Sequence, residues 1–383
     1  MVCVSSSSHE STTSNAHFYK AASEGNFRCG FSFSPMAALP KLSSVFLSYN
    51  RAKYIRAAIK TAFAQDYEGE LEYIFSDDCS TDGTFDIIKE CVAQYKGHRR
   101  VVVTQTPRNL HLAGNTNHAL QFVESDWIVR ADDDDLATPD RCSIIGKAIA
   151  AHPEATFVFN RMETFVDAQE EDIKAKLNQR HGAIPPPRII DIKQGDDALA
   201  EFSTHLCLHQ VWSMKHYRQF GPLPADANYV DDVVSLYRSV ALGYGVHIDA
   251  VTMYIRNGSG NMSRGGDDGN TGYQAIMRLE RFNDKYHNVT LPPLEKTVQD
   301  VEDYIRQSLT SDEQHLVQAF IDKLKQNLET RRMLCTYWRG STLNRIRIAR
   351  KLGQRGVFVA LRCLPMPLFA AIMATYRKVK NMF

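Results

Sequence analysis

The chain has no run of about 18 apolar residues, so no membrane-spanning helix is expected. Its eight cysteines include no Cys-x-x-Cys pair. That argues against a zinc site and against a disulfide framework, and it suits a reducing compartment. The N-terminus lacks the charged stretch and apolar core of a secretory signal, so a cytoplasmic location is expected. No internal repeat is visible. No nucleic-acid motif accompanies the basic residues, which makes nucleic acid a poor candidate partner. What is left has 44% hydrophobic and 23% charged residues, the balance of a soluble globular protein. At 383 residues it can form one large domain or two of ordinary size.

Charge is present and unevenly placed. Residues 331–383 hold twelve Lys/Arg and no acid, whereas 1–330 hold 33 basic and 44 acidic residues, so a tail of +12 follows a body of −11. The tail also contains apolar runs such as Val357–Leu361 and Leu368–Ile372. This mixture suits a segment lying on an anionic membrane surface, giving a peripheral position on the cytoplasmic face. The other reading is a helix that packs back onto the acidic body.

Residues 1–40 are rich in Ser, Thr and Ala without a helical or strand period, and are expected to be poorly ordered. From Lys41 strands and helices alternate. Strands are expected at 42–48, 71–75, 101–103, 127–129 and 156–159, with helices at 52–65, 84–95, 114–123, from Pro139, and at 229–242. Such alternation predicts an α/β domain over 41–260 with a mostly parallel central sheet flanked by helices. A polar insertion or lid loop is expected at 166–200, a mobile Gly/Asp/Asn-rich loop at 258–270, a helical extension at 261–335 and the basic amphipathic tail at 336–383.

The residues that point to chemistry are acids. Asp132, Asp133, Asp134 and Asp135 follow a strand-like run. Four adjacent carboxylates repel one another, so stability alone rarely keeps them. At the rim of an α/β sheet they would stand where such folds place ligands. Their oxygen atoms suit Mg²⁺ or Mn²⁺, which commonly also touch a substrate phosphate. Two further acidic stations, Asp77-Asp78 and Asp231-Asp232, stand at a strand end and a helix start. Each has a plain alternative: a turn with a helix cap for the first, and acids favoured by a helix dipole for the second. Trp212 and Tyr229 could stack on a sugar or could belong to the core.

Residues from about Leu42 to Ser263 resemble the family 2 glycosyltransferases, which have the GT-A fold. Val45-Phe-Leu-Ser-Tyr-Asn-Arg51 is similar to the family's first strand and nucleotide loop, and Ile74 to Thr84 to its second signature. Asn109 and Asn117 keep the spacing of its Asn-containing helix. Asp132–Asp135 with Pro139 fits its Asp-x-Asp-Asp-x-x-x-Pro element, and Trp212, Gly221, Pro222 and Asp231-Asp232 resemble its acceptor-side signature. Four positions depart from the pattern: Leu47 stands for a common proline, Cys79 for glycine, Thr116 for arginine and Asn257 for histidine.

The resemblance implies an inverting sugar transfer from a UDP-sugar to a hydroxyl of a glycan or lipid-linked acceptor. It implies that Ser48, Tyr49, Asn50, Arg51, Asp77, Asp78, Asn117 and Asp132 bind the nucleotide. Asp134, with Asp132 and Asn257, would hold Mn²⁺ or Mg²⁺. Asp232 would be the general base with Asp231 beside it, and Trp212 and Tyr229 would face the acceptor. The competing class is a non-catalytic sugar- or Ca²⁺-binding module, which would need neither Asp77-Asp78 nor Asp231-Asp232.

Overall fold

The computed structural model describes residues 38–200, 211–257, 273–337, 340–351 and 366–380. Strand β1 (Leu42–Ser48) is buried at every position. Its side chains alternate between two cores, as a strand of period two must when both faces are covered. Leu42 and Phe46 join one apolar cluster with Ile55, Ile59, Tyr73 and Phe75. Val45 and Leu47 join another with Ile74, Ile128 and Trp212. The intervening polar Ser43 is hydrogen-bonded to Ser125 Oγ at 2.7 Å and to the Glu72 carboxylate, so burial leaves it satisfied.

Around β1 run α1 (Ile55–Phe63), β2 (Leu71–Asp77), α2 (Thr84–Ala93), β3 (Val101–Gln105), α3 (His111–Ala119) and β4 (Trp127–Asp132). Helix α1 presents Ile55, Ala58, Ile59 and Ala62 to the sheet, the spacing of one helical face. Then follow β5 (Leu136–Ala137), α4 (Arg141–Ala151), β6 (Phe157–Phe165), α5 (Glu170–Lys176) and β7 (Arg188–Ile190). The domain is completed by β8 (Val211–Ser213), α6 (Lys215–Phe220), α7 (Asp231–Leu242) and β9 (Gly245–Arg256).

The sheet order is β3-β2-β1-β4-β8-β6-β9-β5, with β7 also on β9. Pairings β1–β2, β1–β4, β2–β3 and β6–β9 are parallel. Pairings β4–β8, β6–β8, β5–β9 and β7–β9 are antiparallel. The expectation of a mostly parallel sheet therefore holds for the β3-β2-β1-β4 half, and the sheet as a whole is mixed. The antiparallel pairings all involve β5, β7 or β8, which are two or three residues long and carry no readable period.

The segment 166–200 is not bare loop: it contains α5 and β7 and is tied down by Ile173 and Leu177, which pack with Leu136, Phe165 and Tyr254. The expected loop at 258–270 and most of segment 1–40 lie outside the described residues.

Beyond the domain come α8 (Tyr273–Ser308), α9 (Ser311–Leu316), α10 (Gln318–Cys335), α11 (Thr342–Lys351) and α12 (Met366–Lys380). Leu294, Val298, Val301 and Ile305 of α8 and Phe320, Ile321 and Leu324 of α10 bury against Val234, Leu236 and Val240 of α7. Helix α11 packs Ile348 and Ala349 near Tyr337 and leaves Leu343 78% exposed. Among the described residues no helix is long and apolar enough to cross a membrane.

Candidate active site

Register brings two acidic stations to one edge of the sheet. Ser48 at the end of β1 is level with Asp77 of β2, and Leu47 is level with Asp132 of β4. Asp77 and Asp132 thus flank the end of β1 at a separation of two strand spacings, about 10 Å. This is the carboxyl edge of the parallel strands, where α/β sheets bind ligands.

At Asp77 one oxygen accepts from Ser80 N–H and Gln105 Nε2, each at 2.8 Å. Its other oxygen, Oδ1, is buried and meets no donor among the described residues, and the same is true of Ser48 Oγ beside it. A buried acceptor left without a donor is costly, and a ligand N–H or O–H would relieve it. Asp78 is used differently. Its Oδ1 accepts from Thr106 Oγ1 and Leu110 N–H at 2.8 Å each, so it pins the loop after β3. Cys79 next to it has φ +60°, in the left-handed region where glycine is the unstrained residue. That conformation accounts for the glycine this position resembles.

The nucleotide-loop residues lie along the same edge. Tyr49 is 43% exposed while its N–H donates to Asp133 at 3.0 Å. Asn50, also at positive φ, accepts from Thr81 N–H at 2.9 Å. Arg51 Nε sits 3.6 Å from Asp133 and 3.4 Å from Asp134.

Arginines divide the four consecutive acids. Arg130 Nε is 3.2 Å from Asp132, and its Nη1 is 2.5 Å from Asp231 at the start of α7. The stations at Asp132–Asp135 and Asp231-Asp232 therefore share one buried cation. Asp135 accepts from the backbone N–H of Arg256 at 2.6 Å, and Arg256 Nε donates to the Asp134 carbonyl at 3.0 Å. The Arg256 guanidinium lies over the rings of Tyr54 and Phe165, at 4.4 and 4.6 Å, and pairs with Asp167 and Glu170. Burial, and then the charge of Asp134, raises the Asp133 carboxyl well above its ordinary range, against the pull of Arg51. Burial works against the charge of Arg130, but Asp231, Asp132 and Asp232 hold its pKa above the usual value.

Asp231 and Asp232 divide by environment. Asp231 is buried, and burial raises its pKa while Arg130 pulls it back. Asp232 is half-buried and accepts from Val233 N–H at 2.8 Å. Burial and then the Asp231 charge push Asp232 up to about 7. A helix N-terminus favours carboxylates, so here burial outweighs the dipole.

Three expected site residues have structural partners within the chain. Trp212 is buried with Val45, Leu47, Ile74 and Ile128 and lies edge-on to His216, so it is core and not an acceptor surface. Asn117 gives both ends of its amide to Leu223: Nδ2 donates to the carbonyl at 3.0 Å, and Oδ1 accepts the N–H at 2.9 Å and the Tyr217 hydroxyl. It supports the approach to α7. Asp78, as above, is a loop anchor. Tyr229 is half-buried, edge-on to Tyr286 at 5.9 Å.

Arg130 and Arg256 stand at the site although no motif marks them. The available signal was a basic residue inside an otherwise apolar strand, Trp-Ile-Val-Arg-Ala and Met-Tyr-Ile-Arg. A fully buried cation needs a partner, and the nearby acids were the candidates.

Carboxylate oxygens are the hard donors that Mg²⁺ and Mn²⁺ prefer, and Mg²⁺ commonly takes its remaining ligands from water and phosphate. Among the described residues no three acidic, histidine or cysteine side chains converge into a cage. Asp132 and Asp134 offer carboxylate oxygens of that type. Asn257 follows Arg256, and its N–H donates to the Phe165 carbonyl at 2.7 Å.

Residues 43–202 match the model of glycosyl transferase family 2. A putative glycosyltransferase, EpsE, of Bacillus subtilis is 37% identical over 102 residues, 27% of this chain and 36% of that protein. An uncharacterized protein of Mycobacterium tuberculosis is 33% identical over 132 residues, 34% of this chain and 38% of that protein. The chain thus spans between a third and two fifths of the length of these curated relatives. The solved structure of residues 1–349 of Staphylococcus aureus TarS in complex with UDP has a TM-score of 0.48 at 15% identity, covering 82% of this chain and 92% of that one.

Proposed function

We propose that this chain, a member of glycosyl transferase family 2 through residues 43–202, transfers a sugar from a UDP-sugar to a hydroxyl of a glycan or lipid-linked acceptor. One observation carries the reading. Asp77, Asp132 and Asp231 reach a single sheet edge, the first two by strand register and the third through Arg130.

The uracil ring would donate an N–H to Asp77 Oδ1, which has no donor among the described residues. Tyr49, exposed beside it, offers a ring face for stacking. Asp132 would accept from the ribose. Asp134, with Asp132 and Asn257, would hold Mn²⁺ or Mg²⁺, which when bound supplies positive charge against the departing diphosphate. Arg51, already within 3.4 Å of Asp134, is placed to turn its guanidinium toward the same phosphates.

Asp232 accepts the proton of the attacking hydroxyl. A base with pKa near the working pH balances ionised fraction against proton affinity, and a value of about 7 meets that condition. Asp231, tied to Arg130, holds the first turn of α7 in place and raises Asp232 by its charge. One displacement by a base on the acceptor side inverts the anomeric centre.

Calorimetry with UDP in the presence and absence of Mn²⁺ is the first test, followed by a hydrolysis screen across UDP-sugars. Failure to bind UDP under either condition would sink the reading and favour the non-catalytic module.

A further inference from the structure

Helix α10 matches its cations with acids at three positions. Lys323 pairs with Asp197, Lys325 with Glu302 and Arg332 with Glu295. Arg331 differs. Among the described residues its contacts are neutral: Nη1 donates to Thr290 Oγ1, and the guanidinium lies 5.3 Å above the Tyr286 ring. It is half-buried, so water screens its charge incompletely.

Arg331 also lines a cleft of about 270 Å³ whose other walls include Leu236, Leu294, Leu328 and Leu334. Polar groups stand at Asn327 and Thr330. The cleft therefore joins an apolar wall to a guanidinium that has no countercharge among the described residues. That combination suits a ligand with an anionic end and an apolar body, because each part finds its complement.

The cleft adjoins the proposed base. Val233, which lines it, directly follows Asp232 on α7. Tyr237, also in its wall, is raised by burial, lowered by the Asn327 hydrogen bond and by Arg331, and raised by the charge of Asp232. One side chain in the wall thus feels both the cation and the base.

We propose that the cleft binds an amphiphile with a phosphate head, the phosphate on Arg331 and the apolar part against the leucines, and that this amphiphile is the lipid part of a lipid-linked acceptor whose hydroxyl is the attacking group. Naming the ligand as acceptor rests on the sugar-transfer reading; the binding itself does not. The planar guanidinium fork matches the oxygens of a phosphate.

The test titrates the full chain with dodecyl phosphate below its micelle concentration, and in parallel with inorganic phosphate and with dodecyl maltoside. Arg331→Gln and Leu334→Trp are compared with the parent, after a melting curve shows that each is folded. The expected result is binding of dodecyl phosphate to the parent, weakened tenfold or more in both variants, with UDP binding equal in all three. Unchanged affinity in Arg331→Gln overturns the proposal. If that variant does not fold, Leu334→Trp decides alone, and unchanged affinity there overturns it. Inorganic phosphate binding as tightly makes this a plain anion site and overturns the amphiphile. Dodecyl maltoside binding as tightly removes the role of charge. Loss of UDP binding by the parent strikes the donor reading instead and leaves the cleft result standing.

Discussion

Arg130 Nη1 lies 2.5 Å from Asp231 Oδ2, with both side chains buried, and the same guanidinium reaches Asp132 at 3.2 Å. A strand end and a helix start, a hundred residues apart in sequence, are fixed to each other by this ion pair. Removing one partner of a buried pair leaves an uncompensated charge, which costs about 3–5 kcal/mol. Arg130→Met should lose stability on that scale in urea titrations, and adding Asp231→Leu should restore a large part. A single variant as stable as the parent would mean that the pair holds nothing together.

The pH behaviour of Asp232 follows from its raised pKa. In an unfolded chain an Asp titrates near 4; here the value is about 7. Folding thus disfavours the ionised form, so the group's favourable contribution is complete below about pH 4 and is lost as pH rises through about 7. Asp232→Asn should therefore gain stability relative to the parent between pH 5 and pH 8. Its transfer activity should be nearly abolished while UDP binding is kept, and the parent's rate should climb with pH through about 7. A flat rate profile between pH 6 and 8 would remove Asp232 from the role of base.

Asp134→Ala should abolish the dependence of donor binding on Mn²⁺, read by calorimetry with UDP at varied metal concentration. The same metal dependence in the variant and the parent would end the ligand assignment for Asp134.

Cys79 holds φ at +60°. A side chain in the left-handed region costs roughly 1–2 kcal/mol, partly offset by the larger entropy that glycine loses on folding. Cys79→Gly should raise stability by about 0.5–1 kcal/mol, and Cys79→Val should lower it. A glycine variant less stable than the parent would contradict the strain.

The outer side of α11 exposes Leu343, Arg347, Arg350 and Lys351, and residues 331–383 carry no acid. Deleting residues 340–383 should abolish sedimentation with vesicles containing phosphatidylserine, and added salt should weaken sedimentation of the full chain. Equal sedimentation with and without the tail would point to the helix packing back on the body as its sole task.

The sequence determined the β1–α1–β2–α2–β3–α3–β4 run and the seats of the acids at strand ends and a helix start. Those features are local: period-two and period-3.6 burial and turn chemistry are written in neighbouring residues. The tertiary structure decided what depends on distant neighbours. It placed β6 beside β9, turned half of the pairings antiparallel, and sank Trp212 into the core. It also closed Asn117 on Leu223 and allotted the carboxylates to Arg51, Arg130 and Arg256. Asp231 and Asp232 are chemically identical and adjacent, and only burial and the position of one guanidinium set them apart. Those quantities depend on which surfaces meet, and no local pattern encodes them.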